Sequence, residues 1–193
     1  MKDIKAFRFT FLLLYFILSS NILLADVLDK KYNKACILVD ENQYREAILL
    51  FKQRLKENFD LDRHKKSRIL NNTGYCYHKL NDFENALTFY NMALEIDNDY
   101  VVCLNNHSAT LMNQKKHKEG LPNLIHAYRL DQRNIKVIFN LFVVYVNLKN
   151  KELAKYYLKK AFETDKDYTK KRLKKNNIKD KQIIKIQKYL DNH

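Results

Sequence analysis

The residues best equipped for chemistry are amides, thiols and imidazoles set at helical spacings. Asn71-Asn72 follows Leu70, and the same triplet returns as Leu104-Asn105-Asn106. A primary amide carries two donor hydrogens and an acceptor oxygen, so paired amides at a fixed interval can match peptide groups or one another. Cys103 and His107 lie one helical turn apart, on one face, and Cys76 and His78 lie one interval earlier. Thiolate and imidazole so placed suit a metal ion only if the two pairs converge. No Gly-rich phosphate loop, nucleophile motif or converging carboxylate pair occurs. The chain therefore reads as non-enzymatic, with no cofactor.

These side chains must be held by elements, and the elements repeat. Four short phrases end on a small residue: Tyr44-Arg-Glu-Ala47, Phe83-Glu-Asn-Ala86, His117-Lys-Glu-Gly120 and Lys151-Glu-Leu-Ala154. The last three are evenly spaced, at the same interval as the amide triplets, and only the first gap is slightly longer. The same offsets bring up Phe51, Tyr90, Leu124 and Leu158 downstream, and Ala35, Gly74, Ser108 and Phe142 upstream. The pattern resembles the tetratricopeptide repeat, a pair of antiparallel helices in which small residues let backbones approach and aromatics fill the gaps. One such pair cannot bury its apolar face alone, so neighbours stack.

The resemblance implies an all-α fold, a right-handed superhelical solenoid of helix–turn–helix repeats closed by a C-terminal capping helix. Four units are expected, at 28–61, 67–100, 101–134 and 135–168, with a longer first connection over 56–66. Phe142 and Arg54 stand where the family places small residues, so the fourth unit should be repacked. The proline that often opens a unit is missing throughout. Beyond 168, Ile183, Ile186, Tyr189 and Leu190 form one helical stripe in a basic tail, 169–193, which reads as the cap.

In this family the first helix of each unit lines the concave groove. The resemblance then assigns partner binding to Asn33, Asn72, Asn106 and Asn140 at the sixth position of each unit. Asn71, Asn105 and Phe139 at the fifth position join them, with Tyr75, His78 and Lys136. Cys36, Ala109 and Val143 lie on the same helices. Two uses of the amides stay open: clamping the main chain of an extended partner, or bridging neighbouring helices. The family's two-carboxylate clamp wants Lys and Asn in the first unit and Lys with Arg in the third. Tyr32, Cys36, Val102 and Asn106 occupy those positions, so a chaperone C-terminal carboxylate is not expected. His107 falls where the family keeps a buried leucine, which favours a hydrogen-bonded core histidine over a metal ligand. Asn71-Asn-Thr73 and Asn106-His-Ser108 are glycosylation sequons, but both fall within expected helices.

Composition sets the remaining bounds. With 193 residues the chain can bury a core, and two glycines and one proline leave little material for β-hairpins. Three cysteines cannot form a complete intramolecular disulfide set and read as small interface residues. Lys2, Lys5 and Arg8 precede the apolar run Phe9–Leu18, and Ala25 stands before Asp26. That is the pattern of a secretory signal peptide over 1–25, or of an uncleaved anchor, and either places the body outside the cytoplasm. The formal net charge is +14. Export argues against nucleic acid as a partner, leaving a protein or peptide segment, with an anionic membrane surface as a further possibility. The expectation is an exported, periplasmic or cell-envelope scaffold that binds a partner segment in its groove. The alternative is a membrane-surface component held by its N-terminal segment or basic tail.

Overall fold

The protein is described here by a computed structural model covering residues 30–57 and 61–176. The expected signal peptide or anchor and the stripe Ile183, Ile186, Tyr189 and Leu190 lie outside the described residues. Helix α1 covers 30–40. It is followed by α2 (Tyr44–Glu57), α3 (Arg63–Lys79), α4 (Phe83–Ile96), α5 (Val101–Asn113), α6 (His117–Leu130), α7 (Ile135–Asn147), α8 (Lys151–Thr164) and α9 (Lys166–Asn176). No strand occurs among the described residues.

The hairpin turns explain how a chain this poor in glycine folds back four times. Asn42, Asn81, Lys115 and Lys149 all take left-handed backbone, with φ of 61°, 61°, 63° and 58°. Each stands just past the end of a helix, and the chain closes there by a Schellman pair of bonds. In the second hairpin Asn81 N–H donates to His78 O (3.0 Å) and Asp82 N–H to Tyr77 O (2.9 Å). In the third, Lys115 N–H reaches Met112 O and Lys116 N–H reaches Leu111 O, both at 2.9 Å. Neither of the two glycines has positive φ.

Helices α4, α7 and α8 start on a side-chain cap rather than on proline, whereas α5 and α6, behind Tyr100 and Lys116, have no such bond. Asp82 accepts from Asn85 N–H (3.2 Å), Asn134 from Val137 N–H (3.3 Å) and Asn150 from Leu153 N–H (3.1 Å). Between units, Asp97, Asp131 and Asp165 each cap a helix C-terminus in extended backbone, once per repeat. Asp97 and Asp131 turn their carboxylates onto the N–H groups of Asp99 and Arg133, at 3.3 and 3.1 Å.

Within hairpins, a small residue faces a large one. Gly74 supports the buried ring of Tyr90; a Cβ there would meet Tyr90 Cε1 at 2.8 Å and the Ala86 carbonyl at 3.0 Å. Ser108 lies against Gly120, where a Cβ would meet the Ser108 carbonyl oxygen at 3.2 Å, and its hydroxyl hydrogen is shared between Leu104 O and Gly120 O, both at 2.9 Å. The fourth hairpin lacks this asymmetry, since Phe142 and Leu158 are both fully buried. There Phe142 meets Phe139 edge to face, with ring centroids 5.5 Å apart. The buried apolar residues fall into three clusters, which meet on α3 and α5. Helix α9 closes the last: Leu173 is buried there, and Thr169 Oγ1 donates to Ala161 O (2.9 Å).

Candidate functional site

Helix α3 touches α5 and α5 touches α7, so the first helices of successive hairpins form the inner layer. On that layer the amides build a ladder. Asn72 Nδ2 donates to Tyr32 Oη (3.2 Å), Asn106 Nδ2 to Asn71 Oδ1 (3.1 Å) and Asn140 Nδ2 to Asn105 Oδ1 (2.8 Å). Each rung runs from the sixth position of one unit to the fifth position of the unit before. Asn71 Nδ2 also donates to Asn72 Oδ1 (3.2 Å), joining two rungs. Of the two uses open to these amides, helix bridging is therefore present in the structure. Each bridging amide keeps a second N–H, but burial limits who can offer it: Asn71 is 2% exposed and Asn140 8%. Phe139, assigned to the groove from sequence, is fully buried. Tyr168 of α9 packs on its ring at 6.2 Å, and Arg172 lies over it at 5.4 Å. The capping helix occupies the place that another repeat would take.

His78 extends the inter-unit contact at the other end of the same helices. Thr110 Oγ1 donates to Asn106 O (2.9 Å), so its oxygen accepts from His78 Nδ1–H (2.8 Å). His78 Nε2 is then left to accept from Asn113 Nδ2 (3.4 Å). This polarity requires neutral imidazole, and burial, helped by the nearby Lys79 charge, holds the His78 pKa below its usual value. His107 is half-buried against the edge of Tyr90, accepts from Asn123 Nδ2 (3.1 Å), and has its pKa lowered by burial too. Cys103 Sγ donates to Tyr90 O (3.5 Å), and burial pushes the thiols of Cys76 and Cys103 up to about 12. Among the described residues no three His, Cys, Asp or Glu side chains are placed to hold a metal.

The hydroxyls of both sequons, at Thr73 and Ser108, are fully buried. Tyr75 is half-buried and Asn33 exposed. As the sixth-position residue of the first described hairpin, Asn33 has no preceding rung among the described residues.

Among the described residues, two recesses open beside this inner layer. The larger, about 410 Å³, lies between the starts of α5 and α7 and is lined by Val102, Asn105, Asn106, Arg133 and Lys136 among others. Val102 is 48% exposed, an apolar residue facing open space. The smaller, about 250 Å³, lies at the start of α3 and takes in Tyr32, Asn33, Arg54, Lys65 and Arg68. Arg54 is the buried cation that stands where the family has a small residue; it is 1% exposed. Sequence reading placed Lys136 and the amides on this surface but missed Arg133, Lys65 and Arg68. Their register, just before and just after each unit boundary, was the signal available.

Residues 67–100 and residues 136–168 each match the tetratricopeptide repeat family. The structure is also similar to MamA 41-end from Desulfovibrio magneticus RS-1, with TM-score 0.67 and 15% identity over 86% of this chain and 93% of that one. The fold is a tetratricopeptide-repeat solenoid. Among other tetratricopeptide structures, it is similar to YrrB, a TPR protein with an unusual peptide-binding site. That match has TM-score 0.61 and 21% identity, over 75% of this chain and 73% of YrrB. It is similar, too, to the first TPR of Spaghetti (RPAP3) bound to HSP90 peptide SRMEEVD, with TM-score 0.54 and 16% identity over 68% of this chain and 94% of that one. Tetratricopeptide repeats are in general protein-interaction modules, which directs attention to the inner layer and its rim.

Proposed function

We propose that this solenoid is a non-enzymatic scaffold that seats an extended segment of a partner protein along its inner layer. The observation that carries the reading is the recess of about 410 Å³ between α5 and α7, where exposed Val102 lies beside Asn105 and Asn106. Asn105 Oδ1 is taken by Asn140, which leaves its amide N–H groups, and Asn106 Oδ1, for a peptide main chain. An apolar contact beside main-chain hydrogen bonds is how a groove holds an extended segment. A displayed random peptide library tests this. Peptides enriched on the full chain should lose binding to Val102→Trp, which fills the recess from an exposed helical position. They should keep binding to Leu49→Trp, made at a 62% exposed site on α2. Absence of enriched peptides, or their survival on Val102→Trp, would overturn the reading.

The basic-then-apolar pattern of residues 2–25 supports placing this scaffold outside the cytoplasm, with that segment cleaved or retained as an anchor. N-terminal sequencing of the chain recovered from its own host decides between them; a chain found intact in the cytoplasm would refute export. A membrane-surface role has one favourable observation, the basic helix α9, in which Lys170, Lys171, Lys174 and Lys175 are exposed. No helix among the described residues is long and apolar enough to cross a membrane.

A further inference from the structure

The two ends of the solenoid differ. At one end Tyr168 and Arg172 of α9 cover Phe139, in the place of a further repeat. At the other, α1 presents a face that the later hairpins bury. Ile37 is 56% exposed, whereas Cys76, Thr110 and Val144, at the same position of the next three hairpins, are fully buried. Lys34 is exposed too, while its counterparts Thr73 and Leu141 are fully buried and His107 is half-buried. On α2, Leu49 is 62% exposed. Leu49 and Leu50 correspond to Tyr156 and Tyr157 of α8, and Tyr157 meets Tyr128 of the preceding hairpin edge to face, with centroids 5.5 Å apart. These are interface positions that no preceding hairpin covers among the described residues.

We propose that this face joins a second copy of the chain, α1 against α1, antiparallel about a two-fold axis that passes beside Ile37. The charges on the exposed stripe fit that arrangement. Lys34 and Asp40 stand at equal distances in sequence on either side of Ile37, and both are exposed. Neither forms an ion pair among the described residues. Antiparallel two-fold pairing sets Lys34 of each copy level with Asp40 of the other, and Ile37 against its own equivalent. Asn33 falls level with Glu41 in the same register, and Glu41 continues the helix, its N–H on Ile37 O at 3.0 Å. A parallel pairing would oppose like charges instead. Because α9 closes the far end, head-to-tail stacking is blocked, and an open end meeting an open end gives a closed dimer rather than a filament. Residues 1–29, which lead into α1, are the competing cover. Their apolar run 9–25 carries no charge, so it would bury Ile37 and leave Lys34 and Asp40 unpaired.

Light scattering after size exclusion, on the chain as recovered from its own host, tests this. At about 100 μM the chain should show twice its own mass and dissociate on dilution, as suits a small interface. Ile37→Asp should give monomer at the same concentration, because two carboxylates would then meet at the axis. Lys34→Asp and Asp40→Lys should each weaken the dimer at least about tenfold, since either change opposes like charges twice. An equimolar mixture of those two variants should recover the dimer, and so should the exchange Lys34→Asp/Asp40→Lys. A folding defect produces neither recovery. Leu130→Asp, made at a 45% exposed site on α6, should change dissociation less than about twofold.

A chain that stays monomeric at about 100 μM overturns the proposal. If deletion of residues 2–25 then yields a dimer, the face belongs to the N-terminal segment instead; if it does not, the face is left to a different protein. A dimer indifferent to Ile37→Asp overturns the proposal too, since another surface must hold it. Loss in both Lys34→Asp and Asp40→Lys with no recovery on mixing refutes the antiparallel two-fold.

Discussion

A single proton state holds much of the inter-unit polar chemistry. His78 must be neutral to accept from Asn113 while donating to Thr110, and His107 must be neutral to accept from Asn123. Both have pKa values lowered by burial. A histidine whose folded pKa lies below its unfolded value binds its proton more readily when unfolded. Its neutral form costs nothing above about pH 6.5, and stability is lost as pH falls through that value toward the folded pKa. The chain should therefore lose stability as pH falls below about 6.5, with a slope of up to about 1.4 kcal/mol per pH unit for each histidine. Urea titrations across this range should show it. His107→Leu, copying the residue type that Leu141 supplies at the equivalent position, should flatten part of the slope. An unchanged slope in both His107→Leu and His78→Gln would mean that other groups cause the acid loss.

The element scale separates what was legible in the sequence from what was not. The recurrence of Ala47, Ala86, Gly120 and Ala154 marked the hairpins, because small residues are needed wherever two helices cross closely. The same intervals separate the left-handed residues Asn42, Asn81, Lys115 and Lys149, yet those were not readable. Lysine has no preference for left-handed backbone, and packing of the two flanking helices imposes it. The amide pattern was visible, but its use was not. Whether Asn106 faces a partner or Asn71 depends on the offset between stacked helices, which no single helix encodes. Phe139 went astray for a similar reason, since its burial depends on how α9 seats. The turns supply a direct test. Lys115→Gly and Lys149→Gly should each stabilise the fold by about 0.5–1 kcal/mol by removing the Cβ penalty. Asn81→Gly should gain less, because asparagine already tolerates this region. Urea midpoints at unchanged m-value would measure all three, and a loss on Lys115→Gly would show that its side chain, not its backbone, matters.

At the scale of the whole molecule, the solenoid is three clusters in series rather than one core. The first spans α1 to α3, the second α3 to α5, and the third α5 to α9. The third draws on Val137, Ile138, Leu141, Phe142 and Val144 of α7, all fully buried, and is closed by Leu173. In a repeat array each unit is stabilised by itself and by its nearest neighbours, so damage should stay local before it spreads. Leu173→Ala removes buried side-chain volume from the last contact and should cost about 2–4 kcal/mol there. Hydrogen exchange then distinguishes two outcomes. If the clusters act in series, amides of α7 and α8 will exchange faster in Leu173→Ala while those of α3 and α4 keep their wild-type rates. If the chain unfolds as one unit, the slowest amides of all four helices will accelerate by the same factor. The buried seams on α3 and α5 are narrow, Ile69 and Leu70 on one and Cys103 and Leu104 on the other. The serial outcome therefore follows from the structure, with α3 and α5 as the places where coupling between clusters is weakest.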